Sequence, residues 1–344
     1  MKKRRKFYPV FFILIVLTVA CKKSDKINQD TAVQEGKQAI VNAVTTVPKG
    51  ATTLFFKSSF QANTSIQARV GTKSKLIGTD NGYTWNGNVT NGFEGIPYLF
   101  SQSINFNDTN TANGSAAILN DPTGGTNTTN KVLRFEIVNA AENDAGSVAT
   151  GGKKGRVQLD CQVSGTKFKE YYQEVKLLVP AGFNALANTN NPFYMTMFEY
   201  FDDLDNNYAP DIGSFRISIN LIKANGGLSF AVQGQNCVVD NTWRTAYTYT
   251  ATSKIPINQW FTIKLFIKQA IGSDLNGNIQ LALNDSIVIN CNNQISSALQ
   301  RNNGYESIYP LKLYASKTAV DAVKNSGNQF KIYWDDFLLQ LTKR

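Results

Sequence analysis

The chain has 344 residues, 35 lysines and arginines against 25 aspartates and glutamates, and no histidine. The length allows a substantial core in one large domain or two ordinary ones. Without histidine there is no Ser-His-Asp or Cys-His catalysis, no histidine-ligated zinc and no histidine general base.

The chain opens MKKRRKFYPVFFILIVLTVAC, with a basic run from Lys2 to Lys6, an apolar run from Phe7 to about Leu17, and small residues before Cys21. That order predicts an export signal over residues 1–21, and the apolar run is short for a permanent membrane-spanning helix. Thr18-Val19-Ala20-Cys21 resembles a bacterial lipobox, although Thr18 stands where a large aliphatic residue is usual. The resemblance implies cleavage before Cys21, lipidation of Cys21 and a place at the outer membrane. Removing residues 1–21 lowers the basic count from 35 to 30 against 25 acids, so the net charge becomes +5. Neither basic blocks nor a nucleic-acid motif accompanies that mild charge, which argues against nucleic acid and is compatible with acidic glycans.

Residues 22–50 are polar and read as a tether, with one weak helical face at Val33, Ile40, Val41 and Val44. The folded domain is expected over 51–344, opening with a strand at Leu54-Phe55-Phe56. From Asp80 to Asn130 the chain is rich in Asn, Gly and Thr and reads as long loops.

The stretch from Gly155 to Gly182 organises the rest of the chain. Val157, Leu159, Cys161 and Val163 alternate with Arg156, Gln158, Asp160 and Gln162, the pattern of a strand with one buried and one polar face. Next, Tyr171, Gln173, Val175 and Leu177 share one face, and Tyr172, Glu174 and Lys176 the other, until Pro180 and Gly182 stop the run. These two strands are expected to pair with each other and to offer the polar row to a ligand. Cys161 falls on the apolar face and reads as core; with Cys237 and Cys291 it makes three cysteines after Cys21, so at least one thiol stays unpaired within a monomer.

Further strands are predicted at LRFEIV from Leu133, FYMTMFEY from Phe193, FRISINLI from Phe215, WFTIKLFIK from Trp260 and QFKIYWDDFLLQL from Gln329. Hairpins are expected about Asn225-Gly226-Gly227 and Asn284-Asp285. Short helices are expected from Ile295 to Arg301 and from Lys317 to Asn325, the second with Ser316 as N-cap and Gly327 beyond its end. About a dozen strands, few helices and no internal repeat predict an all-β fold, a two-sheet antiparallel sandwich of the jelly-roll kind.

The order VLRFEI, a glycine loop, R-x-Q-x-D at Arg156, Gln158 and Asp160, then YYQEVKLLVPAGF, PINQW from Pro256, PLKLYAS from Pro310 and IYWDDF from Ile332 resembles the concanavalin A-like jelly rolls of polysaccharide lyases. The resemblance runs from about Ala51 to Arg344. In alginate-lyase-like members this strand carries R-x-E-x-R, with Arg and a Gln or His neutralising the uronate carboxylate and a Tyr serving as base and acid. Here the arginine is kept, the second position is uncharged and the third has changed sign. The resemblance implies Arg156 and Gln158 as carboxylate-neutralising groups and Tyr172, Tyr314 and Tyr333 as candidate proton carriers. Asp160, Glu174 and Lys312 are candidate ligand-binding groups. Trp85 and Trp243, in or beside loop-like segments, are candidates for stacking on sugar, or for pinning their own loops.

β-Elimination beside a uronate carboxyl needs that carboxylate neutralised and a base within hydrogen-bond reach. Hydrolysis on the same fold needs two carboxyls, and Glu199-Tyr200-Phe201-Asp202-Asp203 does not match the laminarinase-like E-x-D motif. Asp203, Asp205 and Asn207 have the D-x-D-x-N spacing of oxygen ligands for Ca²⁺, with a solvated Asp/Asn turn as the other reading. The expectation is an exported, lipid-anchored protein that recognises polysaccharide and cleaves an acidic one. The alternatives are a non-catalytic carbohydrate-binding lipoprotein and an envelope structural protein.

Overall fold

The computed structural model describes residues 52–61, 63–86, 88–89, 100–125, 128–143, 152–162, 168–202, 214–237, 243–270, 277–294, 305 and 307–343. Strands are numbered in chain order. One sheet runs, in spatial order, β19 (Ser286–Gln294), β18 (Gly277–Leu283), β17 (Trp260–Lys268), β12 (Phe168–Leu178), β21 (Phe330–Lys343), β9 (Lys131–Ile137) and β8 (Gly114–Asn120), and β1 (Thr52–Ser58) also pairs with β21. The other runs β16 (Trp243–Thr250), β15 (Gly227–Cys237), β14 (Ser214–Ala224), β13 (Met195–Asp202), β20 (Ser307–Ser316), β11 (Lys153–Gln162), β7 (Phe100–Asn105) and β3 (Lys73–Ser74). Onto it β10 (Glu142–Asn143) and β6 (Asn88–Val89) add at β11 and β7. A small third sheet holds β2 (Ser65–Ile66), β4 (Leu76–Asp80) and β5 (Tyr83–Trp85). The molecule is an antiparallel two-sheet sandwich of the jelly-roll class, with the short helices α1 (Asn184–Asn188) and α2 (Lys317–Asn325).

Alternation builds the core. On β17 Phe261, Ile263, Leu265 and Ile267 are buried between partly open neighbours, and on β11 Val157, Leu159 and Cys161 point inward. They meet Val175 and Leu177 of β12 in one continuous apolar cluster. This corrects the expectation that β11 and β12 pair. β11 lies between β20 and β7, β12 lies between β17 and β21, and their apolar faces oppose across the sandwich. Facing strands bury both apolar rows against each other, whereas side-by-side strands would need an opposing sheet to cover both rows.

Residues 80–130 depart from the loop expectation as well. FSQSIN of β7 buries Phe100, Gln102 and Ile104 in alternation, and GSAAILN of β8 forms an edge strand although its first four residues are small. Other local signals hold. Asn225 and Gly226 (φ 54° and 69°) and Asn284 and Asp285 (φ 46° and 68°) supply the left-handed pairs that tight hairpins require. Ser316 caps α2, its Oγ accepting from the Ala319 N–H at 3.3 Å. The expected Ile295–Arg301 helix lies outside the described residues, as does the tether helix.

Two polar devices pin the layers. Gln173 on β12 is fully buried; its Oε1 accepts from the hydroxyls of Tyr171 (2.6 Å) and Tyr200 (3.1 Å), and its Nε2 donates to the carbonyl of Pro310 at 2.8 Å. Pro310 sits inside the central strand β20, where a missing N–H breaks the ladder, and the register shifts there against both β11 and β13. At the other end, Ser58 Oγ donates to Asp80 Oδ2 (3.0 Å) and accepts from Trp85 Nε1 (2.8 Å). Removing this buried hydroxyl leaves the Trp85 indole N–H without its acceptor, while Asp80 keeps the Ser59 N–H. Ser58→Ala is expected to lower unfolding stability by about 1–3 kcal/mol, read as a lower urea midpoint at constant slope; an unchanged midpoint would contradict this account.

Candidate functional site

The face of the ten-stranded sheet turned away from the core carries the polar row of β11. Arg156 lies opposite Tyr314 and Gln158 opposite Lys312 on β20, and Asn105 of β7 opposes Gln158 from the other side. Because of the bulge at Pro310, Tyr309 joins Lys312 and Tyr314 on this face, with the Lys312 ammonium 4.9 Å and 5.0 Å from the two ring centres. The next strand adds Glu199, and the one after it Arg216, 3.5 Å from Glu199. Arg216 then stacks on Trp243, 4.3 Å from its ring. Cations and aromatic rings thus alternate across the sheet.

Electrostatics are concentrated here. Lys312 and Glu199 form a close ion pair, with side chains 4% and 7% exposed. Burial pushes the Lys312 ammonium down to about 8, helped by Arg156 and Arg216 and opposed by Glu199. Burial alone would raise Glu199, but Lys312, Arg216 and Arg156 outweigh it and hold the carboxyl below the usual range. Asp160 goes the other way: burial raises it, against hydrogen bonds from Asn105 (3.0 Å) and Gln158 (2.6 Å). Glu142 lies 3.3 Å from Lys154 and 3.7 Å from Arg156. Lys154 also shares a hydrogen bond with Tyr314, and the Arg156 guanidinium lies 5.0 Å from that ring. Four cations therefore face three carboxyls, one of which is biased toward its neutral form. Arg156 Nε, Gln158 Oε1 and Glu142 Oε2 are buried without a hydrogen-bond partner, and of these three Arg156 Nε is the donor, the kind of group a carboxylate requires.

Arg156, Gln158, Asp160, Lys312 and Tyr314 are brought together, and Trp243 lies at the end of the same row. Four others are elsewhere. Tyr172, Glu174 and Tyr333 lie on β12 and β21, strands of the opposite sheet. Tyr172 donates to Glu174 at 2.9 Å and packs with Ala282 and Phe266, while Tyr333 packs with Val132, Leu178 and Trp260. The sandwich core separates them from Arg156. Trp85, at 1% exposure, is core among Phe56, Phe60 and Phe337 and has no face for sugar. Cys21, Asp203, Asp205 and Asn207 lie outside the described residues.

Glu199, Arg216, Tyr309, Lys154 and Glu142 also belong to the row, beyond the residues expected from the sequence. A parity count along MTMFEYF fails because the register shifts between Thr196 and Phe198, and only Pro310 within a strand hints at the matching bulge in β20.

No family model matches the chain, and no curated protein matches it. Among solved structures it is similar to alginate lyase vAL-1 from Chlorella virus (9% identity, 66% of this chain and 89% of that one, TM-score 0.43). It is also similar to an endo-β-1,4-glucuronan lyase from Trichoderma reesei (10%, 73% and 93%, TM-score 0.40) and to alginate lyase Aly36B (17%, 60% and 80%, TM-score 0.36).

Proposed function

We propose that the outward face of the ten-stranded sheet binds an acidic polysaccharide and cleaves it by β-elimination. The observation that carries this reading is the convergence of Arg156, Gln158, Lys154 and Tyr314 across β11 and β20, with an unpartnered buried donor at Arg156 Nε. Arg156 and the Nε2 group of Gln158, which also donates to Asp160, draw charge from a uronate carboxylate, which acidifies the neighbouring C–H. Tyr314, held by Lys154 beside Arg156, carries the proton: the C–H pair forms the new double bond, the glycosidic C–O bond breaks, and the leaving oxygen is protonated. The buried Lys312–Glu199 pair fixes the strand on which Tyr314 stands. Trp243 and Arg216 extend the row as a stacking platform for further sugars.

Export and a lipid anchor at Cys21 belong to the same proposal, supported by the basic, apolar and small-residue order of residues 1–21.

The test is to incubate the full chain, purified in detergent, with a panel of uronate polysaccharides and to follow both the ultraviolet absorbance of the conjugated double bond and the release of reducing ends. The two are expected to rise together on at least one substrate. Reducing ends without the chromophore would mean hydrolysis and turn attention to Asp160 and Glu199. Retention on glycan with neither signal would mean a binding protein.

A further inference from the structure

A cavity of about 550 Å³ lies away from that face, between the segment around β2 and the edge strand β8. Its volume is within the usual range of small-molecule sites, roughly 300–1,000 Å³. Among the described strands β8 has a partner on one side only, β9, so alternate peptide groups of Ser115 to Ile118 turn toward the cavity. The lining contains two cations, Arg69 and Lys131, and no carboxylate among the described residues.

Arg69 is fastened in place. Its Nε donates to Gly71 O (3.0 Å), its Nη1 to Gly114 O (3.3 Å), and its guanidinium covers Phe106 at 4.1 Å; Nη2 is buried with no partner. Asp108 bears on Arg69 from outside the lining, but its oxygens are already held by Asn113 (2.6 Å) and the Asn110 N–H (2.8 Å). Thr64, only 6% exposed, lines the cavity with a buried, unpartnered hydroxyl. At the far end Gln61 grips the backbone of Lys131 with both halves of its amide, accepting from its N–H (3.2 Å) and donating to its C=O (3.2 Å).

Arg69 holds the start of β8, and Lys131 is the register partner of Asn120 at its end. Six strand steps separate these anchor points, about 20 Å of backbone. One small anion cannot meet both; an elongated ligand with spaced negative charges and hydroxyls can. We propose that this cavity is a second site for a short oligouronate, bound between Arg69 and Lys131 and independent of the Arg156 face. The choice of ligand rests on the acidic-glycan reading above.

Calorimetric titration of the full chain with alginate trisaccharide tests it. The Arg156→Ala variant is expected to retain one binding event. Adding Lys131→Glu should weaken that event by at least about tenfold, as should Arg69→Gln. Lys131→Glu is the cleaner variant, because among the described residues the ammonium donates to one surface side chain, Asn120 Oδ1 at 2.5 Å. Loss of all binding in Arg156→Ala overturns this second site and leaves the first standing; residual binding indifferent to Lys131→Glu, or no binding by the unsubstituted protein, also overturns it. Lys131-sensitive binding without any cleavage would uphold the cavity and reject the lyase reading.

Discussion

Glu199→Leu is expected to cost about 3–5 kcal/mol of stability, because it leaves Lys312 buried without its counter-charge. The lysine is 3% exposed, so water cannot replace the carboxylate. It can only give up its proton or open the sheet. The sign of the pH dependence is then fixed. Lys312 is already drawn down to about 8, and Glu199 is the group that opposes the fall. Without Glu199 the lysine loses its proton at lower pH, so the deficit is largest where both proteins hold the proton, shrinks over the interval in which the variant alone has lost it, and levels off above about 8. The double variant Glu199→Leu with Lys312→Met should recover much of the loss, since a packed apolar pair needs no solvation. Chemical unfolding at pH 6 and pH 9 measures both effects; a deficit that grows with pH, or no recovery in the double variant, would contradict the pairing.

The largest effect on activity is expected at Tyr314. Tyr314→Phe removes one oxygen and keeps the ring over Arg156 and Lys312. A lost proton carrier lowers kcat by roughly 10²–10⁴-fold, with KM little changed. Arg156→Lys keeps a charge but loses the planar fork that meets a carboxylate at two points, so it should raise KM and lower kcat together. Tyr172→Phe and Tyr333→Phe serve as controls, because the core stands between them and the site. Initial rates across substrate concentration separate these cases. A Tyr172→Phe effect equal to that of Tyr314→Phe would move the chemistry to the other sheet.

Fold class was legible because its determinants are local. Period-2 alternation in β17, the Asn-Gly and Asn-Asp turns and the Ser316 cap each depend on a few consecutive residues. Strand pairing is not local. Nothing within GRVQLDCQV or YYQEVKLLV says whether two apolar faces lie side by side or opposed, and the structure opposes them. The site was half legible for the same reason. Arg156, Gln158 and Asp160 share a face by parity alone, so they were found together. Tyr172 and Tyr333 satisfy parity in their own strands and still fall on the wrong sheet. Glu199 and Tyr309 were hidden by bulges that reverse the parity count, and Trp85, in an Asn- and Gly-rich segment, proved to be core because Ser58 satisfies its indole N–H.

The most direct measurement of the central claim is one time course: the absorbance of unsaturated product from a uronate polysaccharide, with the unsubstituted protein and with Arg156→Ala side by side. A rise is expected on at least one polysaccharide, falling by roughly 10²-fold or more in Arg156→Ala, with the variant still unfolding cooperatively. An equal rise in both proteins would contradict it and remove the outward face of the ten-stranded sheet from the chemistry.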